Sequence, residues 1–156
     1  MTYSITGLAV EPFQPFFGLP EAELARHHIV RMKADAPVGY PCRVLLEDAK
    51  PGDSVLLLNH EYQSADTPYR GRHAIFVNEA AKAPRTFVDA IPAVLSVRKA
   101  ISLRAFDGRD MMIDAEVIAG AEVEAAVRKL LSNPKVAYLH ARNAGRGCFA
   151  ARIDRA

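Results

Sequence analysis

Polar side chains able to do acid–base or binding chemistry follow directly on a run of four aliphatic residues at positions 55–58. An apolar run of that length is typical of a strand buried on both faces. Its polar end therefore predicts a pocket with an apolar floor and a polar rim. The polar and aromatic residues at this end and across the following loop are Asn59, His60, Glu61, Tyr62, Asp66, Tyr69, Arg70, Arg72 and His73.

Strand geometry separates these side chains. Successive residues of a strand point to opposite faces, so His60 and Tyr62 are expected on one face and Asn59 and Glu61 on the other. A metal held by the histidines and a carboxylate is the first alternative, but their spacing matches no compact metal-binding motif. We therefore predict no metal site, and His60 remains a candidate for proton transfer or hydrogen bonding.

Two arginines suggest anion binding instead. Arg70 and Arg72 flank Gly71, an arrangement that offers guanidinium groups and backbone N–H groups to a phosphate or carboxylate. Tyr62 and Tyr69 are candidates for orienting such a ligand, with Asn59, Glu61 and His73 beside them. A solvated basic loop is the alternative interpretation of the two arginines.

The C-terminal hairpin carries the second set of candidates. Pairing Ala137, Leu139 and Ala141 with Ile153, Ala151 and Phe149 would make one apolar face. The opposite face then carries Tyr138, His140, Arg142, Cys148 and Arg152. In this arrangement Arg142 lies beside Cys148, and a cationic neighbour favours the reactive thiolate. His140 and Cys148 are thus candidate catalytic residues, and Arg142 and Asn143 are candidate ligand-binding residues. A purely structural cysteine is the alternative, as it is for Cys42.

A third group consists of Arg104 with carboxylates on a predicted hairpin. Pairing Leu103 with Ile113, Ala105 with Met111, and Ile101 with Ala115 keeps the apolar residues on one face and leaves a three-residue loop at 107–109. The carboxylates Asp107, Asp114 and Glu116 then alternate on a polar surface. Cross-strand ion pairs explain them without a catalytic role.

The order of elements predicts an α+β fold with a mainly antiparallel, or mixed, sheet and helices on one side. One clear helix is predicted at 121–132, where apolar residues follow a 3.6-residue stripe. A short helix is predicted near 20–27, where Pro20 precedes two acidic residues. Short strands are predicted elsewhere, including one over 43–46. We expect one domain over residues 1–156.

Composition limits the classes of function. The 156 residues carry a net charge of +2, which is too small to indicate a nucleic-acid partner. No apolar stretch approaches the roughly 20 residues that a membrane helix needs, and the start of the chain has no pattern of a signal peptide. The two cysteines form no metal spacing and no disulfide framework. We therefore expect a cytoplasmic protein with reduced thiols.

Several stretches, in order along most of the chain, resemble a family of small bacterial proteins catalogued as domain of unknown function twelve-oh-three. The longest is His-Ala-Arg-Asn-Ala-Gly-Arg-Gly-Cys-Phe at 140–149. The others lie at 41–43, 48–53, 57–61, 67–70, 73–77, 103–107 and 111–115. The resemblance implies a bacterial source and one domain; it assigns no activity, and the cofactor is unknown.

These patterns support three hypotheses. The preferred one is a domain that binds a small anionic ligand, with or without enzymatic activity, at a site joining the 59–73 hairpin to the 142–148 hairpin. Arg70, Arg72 and Arg142 would hold the anionic group, and His60 or His140 would transfer a proton or donate a hydrogen bond. The alternative is a protein-interaction module or homo-oligomer, with Phe13, Phe16 and Phe17 as an exposed anchor patch. A redox-responsive thiol protein using Cys42 and Cys148 is the third.

Overall fold

The computed structural model describes all 156 residues, and it confirms an α+β fold with mainly antiparallel strands. The eleven strands are Tyr3–Thr6 (β1), Val30–Lys33 (β2), Pro41–Cys42 (β3), Glu47–Asp48 (β4), Ser54–Gln63 (β5), Gly71–Asn78 (β6), Thr86–Val88 (β7), Ile101–Phe106 (β8), Met112–Ile118 (β9), Tyr138–Asn143 (β10) and Phe149–Arg155 (β11). The α-helices are Glu21–Arg26 (α1), Ala93–Ser96 (α2) and Val123–Ser132 (α3), and short 3₁₀ turns cover Gln14–Phe16 and Gly120–Glu122.

The strands form two sheets. The first has the order β7-β1-β11-β10-β8-β9, and all of its pairs are antiparallel. Helix α3 packs on this sheet, and its apolar stripe is buried with Leu103, Leu139 and Ile153 in a core of 19 residues. Helix α3 and the 3₁₀ turn before it confirm the helix predicted at 121–132, whose amphipathic stripe faces this core. Helix α1 confirms the short helix predicted near 20–27.

The second sheet has the order β2-β5-β6-β3-β4 and contains one parallel pair, β3 with β6, at Cys42 and Phe76. Its own core of 11 buried residues includes Leu24 of α1 and Leu56 of β5. The strand expected over 43–46 is wrong. These residues form a turn, in which Leu46 has a φ of +52° and donates its N–H to the carbonyl of Cys42.

The predicted register of the β8–β9 hairpin is also wrong. Leu103 lies opposite Glu116, and Ala105 lies opposite Asp114. The turn sets this register, because Asp107 Oδ1 accepts the N–H groups of Arg109 and Met111. Strand β9 lies at the sheet edge, so its apolar side chains need not share the buried face, and Val117 is 68% exposed.

The register of the C-terminal hairpin differs as well. Leu139 pairs with Ile153 and Ala141 with Ala151, and a bulge follows, after which Arg142 pairs with Phe149. The bulge moves Phe149 to the face that carries His140. The predicted apolar pairing of Phe149 with Ala141 is therefore replaced by a contact with His140, whose ring centroid is 5.2 Å away.

The phenylalanines of the first loop pack against the second core. Phe13 is 4% exposed, and Phe16 and Phe17 are half-buried against the same cluster. The loop therefore does not offer the exposed aromatic patch on which the interaction hypothesis relied.

The two sheets meet along the turn at 43–46. The N–H of Leu8 donates to the carbonyl of Arg43 at 2.8 Å. Gly7 permits this approach, because a Cβ there would lie 1.9 Å from the carbonyl oxygen of Val44. Arg43 in turn reaches Phe149 of the first sheet. None of the helices has the length and apolarity required to cross a bilayer.

Candidate functional site

A cleft of about 510 Å³ lies where the two sheets meet. This volume is within the range of small-molecule sites, roughly 300–1,000 Å³. The cleft residues come from β3 and its turn, from β5 and β6, from the segment after α2, and from the β10–β11 loop: Gly39, Pro41, Arg43, Leu57, His73, Ala74, Phe76, Arg98, Lys99, Ala100, Asn143, Ala144, Gly145, Arg146 and Cys148.

Arg43 is the most unusual of these residues. It is only 3% exposed, and its guanidinium donates to the carbonyl of Phe149 at 2.7 Å, to the carbonyl of Pro41, and to Cys148 Sγ at 3.1 Å. No carboxylate pairs with it. Burial lowers its pKa, although the neighbouring Cys148 works in the opposite direction. A buried cation without a counter-charge is costly, so its place in a cleft wall calls for a functional explanation.

The remaining charges of the cleft are also basic. Arg98, Lys99 and Arg146 line it, and no aspartate or glutamate does. Arg98 forms an ion pair with Asp48, which does not line the cleft and whose two carboxylate oxygens each lie 3.0 Å from Arg98 Nη2. Lys99 and Arg146 are exposed and have no carboxylate partner. The electrostatic field in the cleft therefore favours an anion.

The β10–β11 loop positions the thiol. Asn143 donates its N–H to the carbonyl of Cys148 at 3.0 Å, and Gly147 closes the loop with a φ of +74°. Cys148 Sγ accepts from Asn143 Nδ2 at 3.3 Å as well as from Arg43. Cys148 Sγ thus accepts two hydrogen bonds, one of them from a cation, in a residue that is 8% exposed. The arginine that donates to the thiol is Arg43, whereas Arg142, which was predicted beside Cys148, donates to the carbonyl of the preceding residue, Gly147.

Of the candidates from the sequence, His73, Asn143 and Cys148 line the cleft. Five other residues form a cluster of ion pairs and hydrogen bonds at the outer end of the β5–β6 hairpin. Arg72 donates to Asn59 Oδ1 at 2.6 Å and lies 3.5 Å from a Glu61 oxygen. Arg70 lies 2.7 Å from Asp66 and 3.6 Å from Glu61. These arginines already have anionic partners within the chain, whereas Arg43 has none.

The other candidates form an aromatic contact between the two hairpins. Tyr62 stacks on Phe149 with centroids 6.1 Å apart, and the Arg142 guanidinium lies 3.9 Å from the Tyr62 ring centre. His60 lies 6.3 Å from Phe149, and Tyr69 packs edge-on against Phe106 at 5.9 Å. The two hairpins therefore meet through these packed rings as well as at the cleft, which His73 of one hairpin and Cys148 of the other both line.

His140 is the centre of this contact and is 2% exposed. Burial lowers its pKa to about 3, and the charges of Arg152, Arg142 and Arg104 act in the same direction. Burial also lowers the pKa of His60. A histidine with a pKa of about 3 is neutral at pH 7, so His140 can accept a hydrogen bond but is a poor proton donor.

Sequence reasoning missed Arg43, Arg98, Lys99 and Arg146. Arg43 and Arg146 stand in two of the stretches that carried the family resemblance, which was the available signal for them. Arg98 and Lys99 follow α2 and stand out in no motif. No group of three or more His, Cys, Asp or Glu side chains is gathered in a metal-binding arrangement, so the cleft offers cationic groups and one thiol.

Comparison with known families supports the resemblance seen in the sequence. Residues 39–155 match the family described as Protein of unknown function (DUF1203). The chain belongs to this family. Every residue that lines the cleft falls within the part that matches DUF1203, whereas the first loop and α1 precede it. No curated protein and no solved structure matches the chain. Membership of DUF1203 thus locates the cleft in the family's shared region without naming a ligand.

Proposed function

We propose that this DUF1203 protein binds a small organic anion in the cleft between its two sheets. The observation that carries the proposal is the buried guanidinium of Arg43, which forms part of the cleft wall and has no carboxylate partner. A bound carboxylate or phosphate would supply the missing counter-charge, and charge-assisted hydrogen bonds of this kind are about twice as strong as neutral ones.

The apolar part of the cleft supports an organic ligand rather than a bare inorganic ion. Leu57, Ala74 and Phe76 line one side, and alternation along the paired strands β5 and β6 places them on the same face. Ligand sites of this size combine an apolar floor with a few polar groups that fix orientation. The ligand we propose therefore has a carbon body against these residues and its charge toward Arg43, Lys99 and Arg146.

An enzymatic form of the proposal assigns the nucleophile to Cys148. Among the candidate catalytic residues His60, His140 and Cys148, only Cys148 lines the cleft. The proposal also includes a bacterial, cytosolic setting, which the family resemblance and the two free cysteines support.

Thermal shift with citrate, succinate, inorganic phosphate and nucleoside monophosphates tests this proposal. A ligand at about 100 times its dissociation constant adds roughly 2.7 kcal/mol of stability. At this chain length, that corresponds to a rise in Tm of roughly 5–11 °C. At least one organic anion is expected to produce it, with uncharged analogues silent.

Two rim variants locate the site. Lys99→Gln and Arg146→Gln are each expected to weaken binding about fivefold, because a unit charge about 4 Å from an anion in water contributes roughly 1 kcal/mol. Arg109→Gln is the matched control, since Arg109 is 88% exposed on the β8–β9 turn and does not line the cleft. Equal losses in all three variants would show that any binding is unspecific charge attraction.

A further inference from the structure

One long edge of β6 has almost no partner strand. On one side β6 pairs with β5 from Gly71 to Asn78. On the other side it meets only the two-residue strand β3, at a single position, Phe76. The preceding residues, from Gly71 to Ile75, have no strand beside them on that side. At about 3.3 Å per residue, this open edge is roughly 16 Å long.

Two hydrogen bonds show which backbone groups face this edge. The carbonyl of Phe76 accepts the N–H of Arg43 at 3.0 Å, and the N–H of Asn78 donates to Cys42 Sγ at 3.3 Å. Backbone groups of alternate residues in a strand face the same side. The N–H and C=O groups of Ala74 and Arg72 therefore face the open edge. The only contact there is the His73 ring, with Nδ1 3.2 Å from the Ala74 oxygen.

The open edge and the cationic cleft are the same place. The cleft is lined by His73, Ala74 and Phe76 of β6. Arg43, whose N–H donates to the carbonyl of Phe76, also lines the cleft and lies at the end of the open edge. The basic wall of the cleft consists of Lys99 and Arg146. A ligand in the cleft therefore meets both unpaired backbone donors and acceptors and positive charge.

We propose that the anion bound in the cleft is an acidic peptide segment that adds to β6 as an extra strand. The inference rests on the anion-binding function proposed above and names its ligand. Main-chain hydrogen bonds to an open sheet edge provide affinity in this mode of recognition, and alternate side chains provide specificity. Here one set of side chains packs on Leu57 and Phe76, and the carboxylates of the segment pair with the basic wall.

Fluorescence anisotropy with a labelled pentapeptide, acetyl-Glu-Val-Glu-Val-Glu-amide, tests this inference. Two isomers of the probe each carry two backbone N-methyl groups, one at positions 1 and 3 and the other at positions 2 and 4. Both isomers keep all three carboxylates, but only one keeps every N–H group that faces β6. We expect the parent and one isomer to bind alike and the other isomer to bind at least tenfold more weakly.

A backbone variant gives a second readout. Ala74→Pro removes the N–H of Ala74 from the open edge without removing a bond to β5, and proline is tolerated where the strand N–H faces solvent. Ala74→Ser keeps the N–H and is the matched control. The proline variant is expected to lose peptide binding at least tenfold, whereas the serine variant retains it.

The outcomes separate the two proposals. Equal binding of both N-methylated isomers would overturn strand addition, and so would binding of citrate without binding of the parent peptide. In either case the anion site would stand. Failure of the peptide, citrate and phosphate alike would remove the anion site and the strand addition together.

Discussion

Acid should destabilise this protein through His140. In the folded chain the pKa of His140 is about 3, against an ordinary value of 6.5. As the pH falls, the His140 ring therefore binds a proton near pH 6.5 in the unfolded chain but only near pH 3 in the folded chain. The stabilisation from the neutral ring is complete above pH 6.5 and is lost progressively as the pH falls from 6.5 toward 3.

The two pKa values set the size of the effect. Between pH 7.5 and pH 5.0 the unfolded state gains about 2 kcal/mol relative to the folded state from this one residue. For a chain of this length that is a decrease in Tm of roughly 4–8 °C. His140→Gln has no proton to bind, so its Tm should decrease by that much less over the same interval, whatever its absolute stability.

Differential scanning calorimetry at both pH values gives the comparison. His27→Gln is the control, because His27 is exposed at the end of α1 and should follow the parent protein. Parallel Tm curves for the parent and His140→Gln would refute the reasoning. They would mean that the three arginines and the aromatic rings around His140 do not keep its ring neutral.

Two further predictions concern the thiols and a packed glycine. Because Cys148 lines the cationic cleft and is 8% exposed, whereas Cys42 is 1% exposed, mass spectrometry should show faster alkylation at Cys148 than at Cys42 in the folded protein. Its rate ratio for anionic iodoacetate over neutral iodoacetamide should be about fivefold higher folded than unfolded, and an unchanged ratio would contradict a cationic cleft. Gly120→Ala places a Cβ 2.5 Å from the carbonyl oxygens of Leu95, Ser96 and Arg98, so urea unfolding should show a loss of roughly 3 kcal/mol. Gly108→Ala has no atom within 4 Å of the new Cβ, and a similar loss there would refute the packing explanation.

The spacing of apolar residues predicted a helix or strand well where burial in a core requires that spacing. The stripe of α3 is readable because Val127 and Leu131 must face the first sheet, and both are fully buried. The β8–β9 register failed because the argument assumed that every apolar side chain shares the buried face. This assumption does not hold for the edge strand β9, where Ile113 is 41% exposed. The register is set instead by the turn, which the hydrogen bonds to Asp107 stabilise.

The candidate site was predictable only in part for a related reason. Residue types pointed to the 59–73 and 140–148 stretches, and Cys148, Asn143 and His73 do line the cleft. The sequence does not show which arginines are already paired. Arg70 and Arg72 have carboxylates beside them, whereas Arg43 has none. The basic groups also come from distant segments that only the packing of the two sheets brings together.

The position of Arg43 between the sheets has a consequence for the cohesion of the whole molecule. Its carbonyl accepts the N–H of Leu8, its guanidinium donates to the carbonyl of Phe149 and to Cys148 Sγ, and the residue lines the cleft. Under the anion binding proposed above, occupancy of the cleft and closure of the sheets would be thermodynamically linked, and the linkage would be reciprocal. A bound anion would then make separation of the sheets rarer and slow amide exchange along their contact. A substitution that loosens this contact would lower affinity even when every cleft side chain is intact.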